Sequence, residues 1–204
     1  MQTPAGEEND EALVARCQVG DFSAFEILYQ RYQRPILAYI YQITRNYDES
    51  ACIAQDVFMR VFEHVDRFDT QRRFTTWFYT IARNAAIDYL QSRNRKVMVA
   101  FTDLDRDDEN DSVATSRGAP GVSIETALAQ GESNRHLASA LAELPQIYRE
   151  IIELIIFQEK DYEEASIILG GVSLGTLRSR MFHALRRLRT SLEGVGGKQG
   201  ENLL

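Results

Sequence analysis

The chain has 204 residues, a formal net charge of −7 and 44% hydrophobic residues, which is the size and composition of one globular domain or two small ones. No apolar run approaches the roughly 20 residues of a membrane span. Residues 1–11 are acidic and polar, unlike a signal peptide. These features argue against an integral membrane protein, and we expect a cytoplasmic chain without membrane insertion.

The basic residues are concentrated in two segments of this acidic chain. Residues 60–96 carry eight Lys or Arg against four Asp or Glu, and residues 176–192 carry five Arg and no acid. A chain with a net negative charge is poorly suited to coat nucleic acid by itself. Two local basic patches predict two nucleic-acid contacts with weak overall affinity.

Helical periodicity covers the first part of the chain, without the sustained alternation that is typical of strands. A first helix is predicted over residues 10–19, and a second begins after Asp21, which should cap it. Pro35 should kink this second helix or restart it. A third helix follows, with Asp48 as the expected cap and with Phe58 in its buried stripe.

The strongest helical pattern spans residues 74–90 and holds the only tryptophan, Trp77. Its apolar residues recur at three and four positions, so its rings are first of all candidates for the core. The alternative is that they stack on unpaired bases. Between them lie Arg83, Asn84 and Asp88, whose side chains can bond a phosphate or a base edge.

The segments next to this helix complete the first domain. Residues 66–73 are polar and charged, and we expect an irregular loop there. The helix itself should end near residues 95–96, where cations suit the negative end of a helix dipole. Residues 1–96 are therefore predicted to form an all-α domain. Cys17 and Cys52 fall on its apolar faces without metal-ligand spacing, which predicts free buried thiols.

Residues 97–133 have a different composition. An acidic run at 103–111 is followed by a segment with Gly and Pro, a pattern that predicts a flexible, self-repelling linker. The acids lack the glycine and the terminal glutamate of a calcium loop, and we interpret them as solvated. Residues 194–204 are predicted to be a disordered tail.

A second small helical domain is predicted over residues 134–193. Asp161 and Glu164 form the capping-box pattern of a short helix, Gly170-Gly171 should end that helix, and Ser173 should cap a last, basic helix. This order is the plan of a helix-turn-helix, whose second helix enters the major groove. The last helix is expected to turn five apolar residues inward: Leu177, Met181, Ala184, Leu185 and Leu188. Its predicted DNA contacts are Ser173, Thr176, Arg178, Ser179, Arg180, Arg186 and Arg187.

Five stretches of the chain, in order, resemble a known family. They are D-F-S-A-F-E-I-L-Y-Q-R-Y (21–32), Q-D-V-F-M-R-V-F (55–62), the helix at 74–90, A-L-A-E-L-P-Q-I-Y-R-E-I-I (140–152) and L-G-T-L-R-S-R (174–180). They are similar to an extracytoplasmic-function (ECF) sigma factor, the smallest kind of bacterial sigma subunit, in which only the second and fourth conserved regions remain. The resemblance covers nearly the whole chain except the linker and the two tails.

The resemblance implies roles for individual residues. The helix at 55–62 would bind a coiled coil of the largest subunit of core RNA polymerase through Gln55, Asp56 and Arg60. The loop at 66–73 would capture a flipped base of the minus-ten element, at an unstacking cost of a few kcal/mol, and the helix after it would hold the upstream edge. The residues implied at the minus-ten element are Arg67, Phe68, Asp69, Arg72, Arg73, Arg83, Asn84 and Asp88. The last helix would read the minus-thirty-five element.

The implied function is promoter recognition, DNA melting and transcription initiation for a stress or envelope regulon, without enzymatic activity, cofactor or metal. The implied partners are core RNA polymerase, promoter DNA and an anti-sigma factor. One alternative is a helix-turn-helix regulator that works without polymerase and binds its operator tightly by itself. An enzyme is a third possibility, but the three histidines are scattered and form no catalytic motif.

The chain departs from the family pattern at three places. Cys52 stands where members often carry an acid, so it is either a core residue or a thiol that senses oxidation. The Gly170-Gly171 turn is one residue longer than usual. His183-Ala184-Leu185 replaces a usual arginine-alanine-arginine, so some phosphate contacts are missing, for which Arg186 and Arg187 could compensate.

Overall fold

The computed structural model describes residues 8–102 and 132–196, and within these residues it is helical with no strand. The predicted all-α fold is confirmed. The helices are α1 (Asp10–Gln18), α2 (Phe22–Thr44), α3 (Tyr47–His64), α4 (Phe74–Thr102), α5 (Glu132–Glu143), α6 (Gln146–Ile152), α7 (Tyr162–Ile168) and α8 (Leu174–Gly196). A 3-10 turn (Val65–Arg67) follows α3, and a π-helical turn (Glu153–Phe157) follows α6.

The first four helices pack around a core of aromatic rings. Phe78, which is fully buried, stacks on Phe74 with ring centroids 5.4 Å apart and lies 5.1 Å from the ring of Phe58. Burial of one such side chain stabilises the fold by about 1.5–3 kcal/mol. The rings at 74–90 therefore belong mainly to the core, as their periodicity predicted, and they fix α4 against α2 and α3.

Three details of the first domain differ from the predictions. Pro35 was predicted to kink or restart α2, and the restart is wrong: the helix continues through Pro35, because the apolar residues on both sides of the proline share one buried face. Asn46, not Asp48, caps α3 and accepts a hydrogen bond from the amide of Glu49 (3.2 Å). Helix α4 extends to Thr102, beyond the predicted end near residues 95–96.

The second domain is built around α8. Leu177, Met181 and Ala184 are buried against the shorter helices, as predicted. Leu185 was predicted to face inward, but its side chain is 44% exposed. One further residue along the helix rotates a side chain by about 100°, so Leu185 lies past the edge of the stripe that Ala184 closes.

The two domains pack against each other. Helices α2 and α4 of the first domain contact α6, α7 and the π-helical turn of the second, and the buried residues of both domains form one cluster. Residues 103–131, the centre of the predicted linker, and the tail from residue 197 lie outside the described residues. No helix within 8–102 or 132–196 has the length and apolar character needed to cross a bilayer.

Candidate nucleic-acid interface

The three side chains predicted to bind polymerase lie together on the outer face of α3. Gln55, Asp56 and Arg60 are all exposed, while Val57 and Phe58 on the opposite side are buried. Asp56 and Arg60, four positions apart, share a side of the helix, and Gln55 lies on the adjoining flank of the same exposed face. This face combines an amide, a carboxylate and a guanidinium that can bond a partner.

The two cysteines lie in different environments. Cys17 is half-buried, and burial raises the pKa of its thiol. Cys52 is exposed, so the prediction of a buried thiol is wrong at this position. Cys52 lies one turn before Gln55 and Asp56, and it follows their exposed face instead of the adjacent apolar stripe.

An apolar patch borders the polar face of α3, and sequence reasoning missed it. Phe22 at the start of α2 stacks on Phe62 with ring centroids 5.8 Å apart, and the two residues are 70% and 39% exposed. Met59, between Gln55 and Phe62 along the helix, is 59% exposed. A contiguous exposed apolar patch is typical of a protein-binding surface. The sequence signal that could have revealed this patch is Met59, an apolar residue at a position of the polar face.

The loop before α4 is anchored by the core. Phe68 is only 8% exposed, and its ring centroid lies 4.9 Å from that of Trp77 and 6.0 Å from that of Phe74. The side-chain amide of Gln18 donates to the carbonyls of Val65 and Phe68 at 2.9 and 2.8 Å. Phe68, predicted as a minus-ten contact, therefore holds the loop in place in this conformation.

The polar residues of the same loop face solvent. Asp69 accepts a hydrogen bond from the amide of Gln71 (3.0 Å), and the amide of Arg72 donates to the Asp69 carbonyl (2.9 Å). This tight turn leaves Arg67, Asp69 and Arg72 exposed. The predicted loop side chains are thus displayed beside one another; Nε of Arg72 lies 3.6 Å from the Asp69 carboxylate.

Carboxylates of the second domain occupy two other predicted DNA contacts. A guanidinium nitrogen of Arg73 lies 3.1 Å from Glu164 and 3.4 Å from Asp161, and the charge of Glu164 is the largest cause that raises the pKa of Arg73. Nε of Arg83 lies 2.8 Å from Glu150. The Arg83 side chain is only 23% exposed, whereas Arg73 is bonded through one nitrogen and stays 66% exposed.

The remaining predicted contacts on α4 are open. Asn84 and Asp88 are exposed and lie one turn apart on the same side of the helix. Ala82, Ala85 and Ala86 on the other side are buried. Small residues there let α4 approach its neighbours closely, which leaves the amide and the carboxylate on an outward ridge.

A cleft of about 890 Å³ separates the loop before α4 from α7. Trp77 and the arginines of the loop line one side, and Glu163, Glu164 and Ile167 line the other. Ile167 is 60% exposed. One wall of the cleft is therefore cationic and aromatic and belongs to the first domain, and the facing wall is acidic and apolar and belongs to the second.

The turn of the helix-turn-helix is built as predicted. Asp161 accepts a hydrogen bond from the amide of Glu164 (2.7 Å), and the Glu164 carboxylate accepts one from the amide of Asp161 (3.2 Å), which completes the capping box. Gly170 and Gly171 both have positive φ, +84° and +82°, a backbone conformation that glycine adopts without steric cost. Ser173 then accepts from the amide of Thr176 at 3.2 Å and caps α8.

Most of the predicted DNA contacts of α8 share one exposed face. At 3.6 residues per turn, five of them fall within an arc of about 120°, away from the buried stripe. They are Thr176, Ser179, Arg180, Arg186 and Arg187. Arg178 differs in lying on the other flank, where its guanidinium is 5.7 Å from the ring centroid of Tyr162; within the shared face, Arg187 makes a similar contact, 5.5 Å from the ring centroid of Tyr148. The structure thus groups five contacts with Ser173 at their N-terminal end and sets Arg178 apart.

Family comparisons agree with this two-part architecture. The Sigma-70 region 2 family matches residues 28–96, and the Sigma-70 region 4 family matches residues 135–188. The ECF RNA polymerase sigma-E factor of Escherichia coli is 30% identical over 176 residues, which cover 86% of this chain and 90% of the relative. The RNA polymerase sigma-H factor of Pseudomonas aeruginosa is 29% identical over 191 residues, which cover 92% and 95% of the two chains.

Solved structures share the fold. CnrH in complex with the cytosolic domain of CnrY has a TM-score of 0.64 at 21% identity, covering 92% of this chain and 99% of that one. The sigma factor RpoE of Bartonella quintana in complex with the anti-sigma factor NepR has a TM-score of 0.59 at 24% identity, covering 83% and 96%. At these identities the likeness concerns the fold.

Proposed function

The chain belongs to the extracytoplasmic-function sigma factors, and from that membership we propose how its two domains divide the recognition of a promoter. Residues 1–96 bind core RNA polymerase and the minus-ten element, and residues 134–193 bind the minus-thirty-five element. Residues 97–133 connect them through the polymerase, and the tail predicted at 194–204 overlaps the last turn of α8, which ends at Gly196. The chain acts in the cytoplasm, where bacterial polymerase works, and it has no catalytic activity by itself.

The proposed polymerase contact is the outer face of α3. Gln55, Asp56 and Arg60 supply the polar bonds, and the exposed rings of Phe22 and Phe62 extend the surface beside them. Aromatic residues are enriched at protein interfaces because they bury a large area at a small cost in conformational entropy. This combination supports a protein partner better than it supports DNA.

The proposed minus-ten contacts come from the loop and the outward side of α4. The exposed cations Arg67 and Arg72 suit phosphates, and Asn84 and Asp88 suit base edges. The buried ring of Phe68 holds the loop at a fixed height above α4. A firm loop is an advantage in capturing an extruded base, since the geometry of the pocket is set before the base arrives.

The proposed minus-thirty-five contacts lie on α8. Its N-terminal half presents Thr176, Ser179 and Arg180, where a helix-turn-helix contacts base edges, and Arg186 and Arg187 follow toward the phosphates. An anti-sigma factor is a further proposed partner, because it would need only to cover the exposed faces of α3 and α8. A stress or envelope regulon fits such control.

The observation that supports this proposal most directly is that the predicted DNA contacts of α8 share one exposed face, in a chain that belongs to this family. We would compare Arg180→Ala and Arg187→Ala with the control Arg189→Ala, whose side chain is paired with Glu193 (2.7 Å). With core polymerase present, the first two variants should lose about tenfold or more in promoter affinity, since a good base or phosphate contact contributes roughly 1–3 kcal/mol. The control should bind almost as wild type.

A gel shift without polymerase separates this proposal from a polymerase-independent regulator. The free chain should bind promoter DNA poorly because its net charge is negative. Tight, sequence-specific binding of the free chain, unchanged by core polymerase, would instead support the independent regulator.

A further inference from the structure

Helix α1 bonds both ends of the loop before α4. At the start of the loop, the side-chain amide of Gln18 donates to the carbonyls of Val65 and Phe68 at 2.9 and 2.8 Å. At its end, the carboxylate of Glu11 accepts a hydrogen bond from the amide of Phe74, the first residue of α4, at 2.9 Å. Glu11 and Gln18 are about two turns apart on the same side of α1. One short helix therefore holds the loop at two points.

Both side chains bond backbone groups that a loop of this shape leaves open. The first N–H groups of a helix have no acceptor within the helix, and a carboxylate is favourable at the positive end of the helix dipole, so Glu11 caps α4 from outside. The two carbonyls that Gln18 bonds belong to the first residue of the 3-10 turn and to the residue that ends it. The backbone of the loop is therefore fixed where it leaves that turn and where it enters α4.

Helix α1 is itself fixed to the body of the first domain. Leu13 and Val14 are fully buried, and the carboxylate of Asp10 bonds the Arg31 guanidinium and the Tyr32 hydroxyl of α2. The apolar stripe and the shared carboxylate hold α1 against α2 without involving the loop. Positions that α1 sets in the loop are therefore fixed relative to the core.

The side chains that the loop shows to solvent lie between its two fixed ends. Arg67, Asp69 and Arg72 are exposed, and the ring of Phe68 rests on Trp77 with centroids 4.9 Å apart. A surface that can re-pack accepts several ligands, whereas a fixed surface rejects those that fit it badly. The path of the loop backbone thus decides which base its polar groups fit.

We propose that Glu11 and Gln18 are positioning residues that set the base selectivity of the loop before α4, without touching DNA themselves. Helix α1 precedes residues 28–96, the part of the first domain that matches the family, so this role lies outside the matched region. The inference rests on the proposed function of the loop in capturing an extruded base. With both ends bonded, the loop presents one arrangement of donors and acceptors to the base; with one end released, several arrangements accept several bases.

The test uses the full chain with Gln18→Met and, separately, with Glu11→Met. Methionine is similar in volume and offers neither a donor nor a strong acceptor, so each change removes the bonds at one end of the loop and keeps the packing. Glu11→Gln is the conservative variant, because its side-chain oxygen can still accept from the amide of Phe74. The matched controls are Gln30→Met and Glu26→Met, two exposed residues of α2 that bond each other at 3.4 Å.

The first readout follows the loop itself. Trp77 is the only tryptophan, and the ring of Phe68 lies against it, so its fluorescence reports whether the loop is seated. Gln18→Met should shift the emission maximum to longer wavelength and increase quenching by acrylamide relative to Gln30→Met, because water reaches the indole when the Phe68 ring moves away. The same direction is expected for Glu11→Met against its control.

The second readout is base selectivity in the complex with core polymerase. Core saturated with each chain is mixed with a single-stranded DNA library that has a randomised segment, and the bound DNA is sequenced. An Asp69→Ala chain identifies the position that the loop reads. At that position Gln18→Met and Glu11→Met should lose about tenfold in base preference, which is within the range that one good base contact provides, and the other positions should keep theirs. Glu11→Gln should retain the wild-type preference.

Base preferences equal to those of the controls would overturn the proposal. An equal loss at every position would also overturn it, because a general loss of folded structure has that effect, and so would a shift of Trp77 emission without a loss of selectivity. If Gln18→Met lacks the wild-type circular dichroism spectrum, Glu11→Met and Glu11→Gln decide by the same criteria. Failure of the proposed function is distinguishable, because the wild-type complex itself would then show no base preference at any position.

Discussion

Removing the charge of Arg83 should lower the thermal stability of the protein substantially, although Arg83 lies at the surface of its own domain. Its side chain is 23% exposed and that of Glu150 is 3% exposed. Arg83→Met leaves the Glu150 carboxylate without its cation in a nearly dry site. Breaking a buried pair by removing one partner costs about 3–5 kcal/mol. For a chain of this length each kcal/mol lowers Tm by about 2–4 °C, so the expected loss is roughly 6–20 °C.

The decisive comparison is a double-mutant cycle with Glu150→Met. The single change at Glu150 should also destabilise, because it leaves the Arg83 guanidinium short of a partner. The double variant Arg83→Met/Glu150→Met should recover most of the loss, since two apolar side chains of similar volume often replace a buried ion pair with little net change. Differential scanning calorimetry measures all four chains.

Additive losses in this cycle would refute the reasoning, because residues in direct contact should show a coupling energy. A Tm of Arg83→Met equal to that of the wild type would refute it as well. It would mean that the pair, and with it the docked arrangement, contributes nothing to stability.

Three further predictions concern single sites. Burial raises the pKa of Glu153 above its usual 4.5. Between pH 4.5 and that raised pKa the native state binds more protons than the unfolded state, so stability falls as pH rises through this window. Glu153→Gln should therefore raise Tm at pH 7, and the gain should vanish below pH 4.5; an equal gain at every pH would contradict this. Within the described residues the buried Tyr39 hydroxyl has no hydrogen-bond partner, so Tyr39→Phe should be neutral or stabilising by up to about 1 kcal/mol in urea denaturation. Tyr79→Phe should destabilise the protein. The reverse order would contradict the hydrogen bonding described for the two hydroxyls. Arg60→Ala should leave Tm unchanged, because the residue is exposed. It should lower the affinity for core polymerase, measured by competition with the wild-type chain, by several-fold or more; an unaltered affinity would remove Arg60 from the interface.

Local sequence signals predicted the helices and most of their ends. The Asp161 and Glu164 capping box, the Gly170-Gly171 turn and the Ser173 cap all act over a few residues, so the chemistry that defines them is visible in the sequence. Pro35 shows the limit of the same reasoning. A proline removes one backbone bond, but the buried face of α2 on both sides of it decides that the helix continues.

The part that sequence did not predict depends on contacts between distant residues. No sequence pattern distinguishes Glu150 from a solvated acid, and the capping box accounts for Glu164 only within its own helix. Their docking on Arg83 and Thr76, 67 and 88 positions away, is not visible in the sequence. Phe62 falls in the apolar stripe of α3, yet it stacks on Phe22 at the surface. Periodicity says which side of a helix is apolar, but not whether a neighbouring helix covers it.

The most direct test of the central claim is transcription by reconstituted polymerase on a library of genomic fragments. Core polymerase with this chain should initiate at a limited set of start sites that core alone ignores, and sequencing of the transcript ends should place a shared minus-ten and minus-thirty-five element upstream of them. The Arg180→Ala and Arg187→Ala chains should lose those starts, and Arg189→Ala should keep them. The same start sites with and without this chain, or none at all, would contradict the assignment of promoter recognition to these two domains.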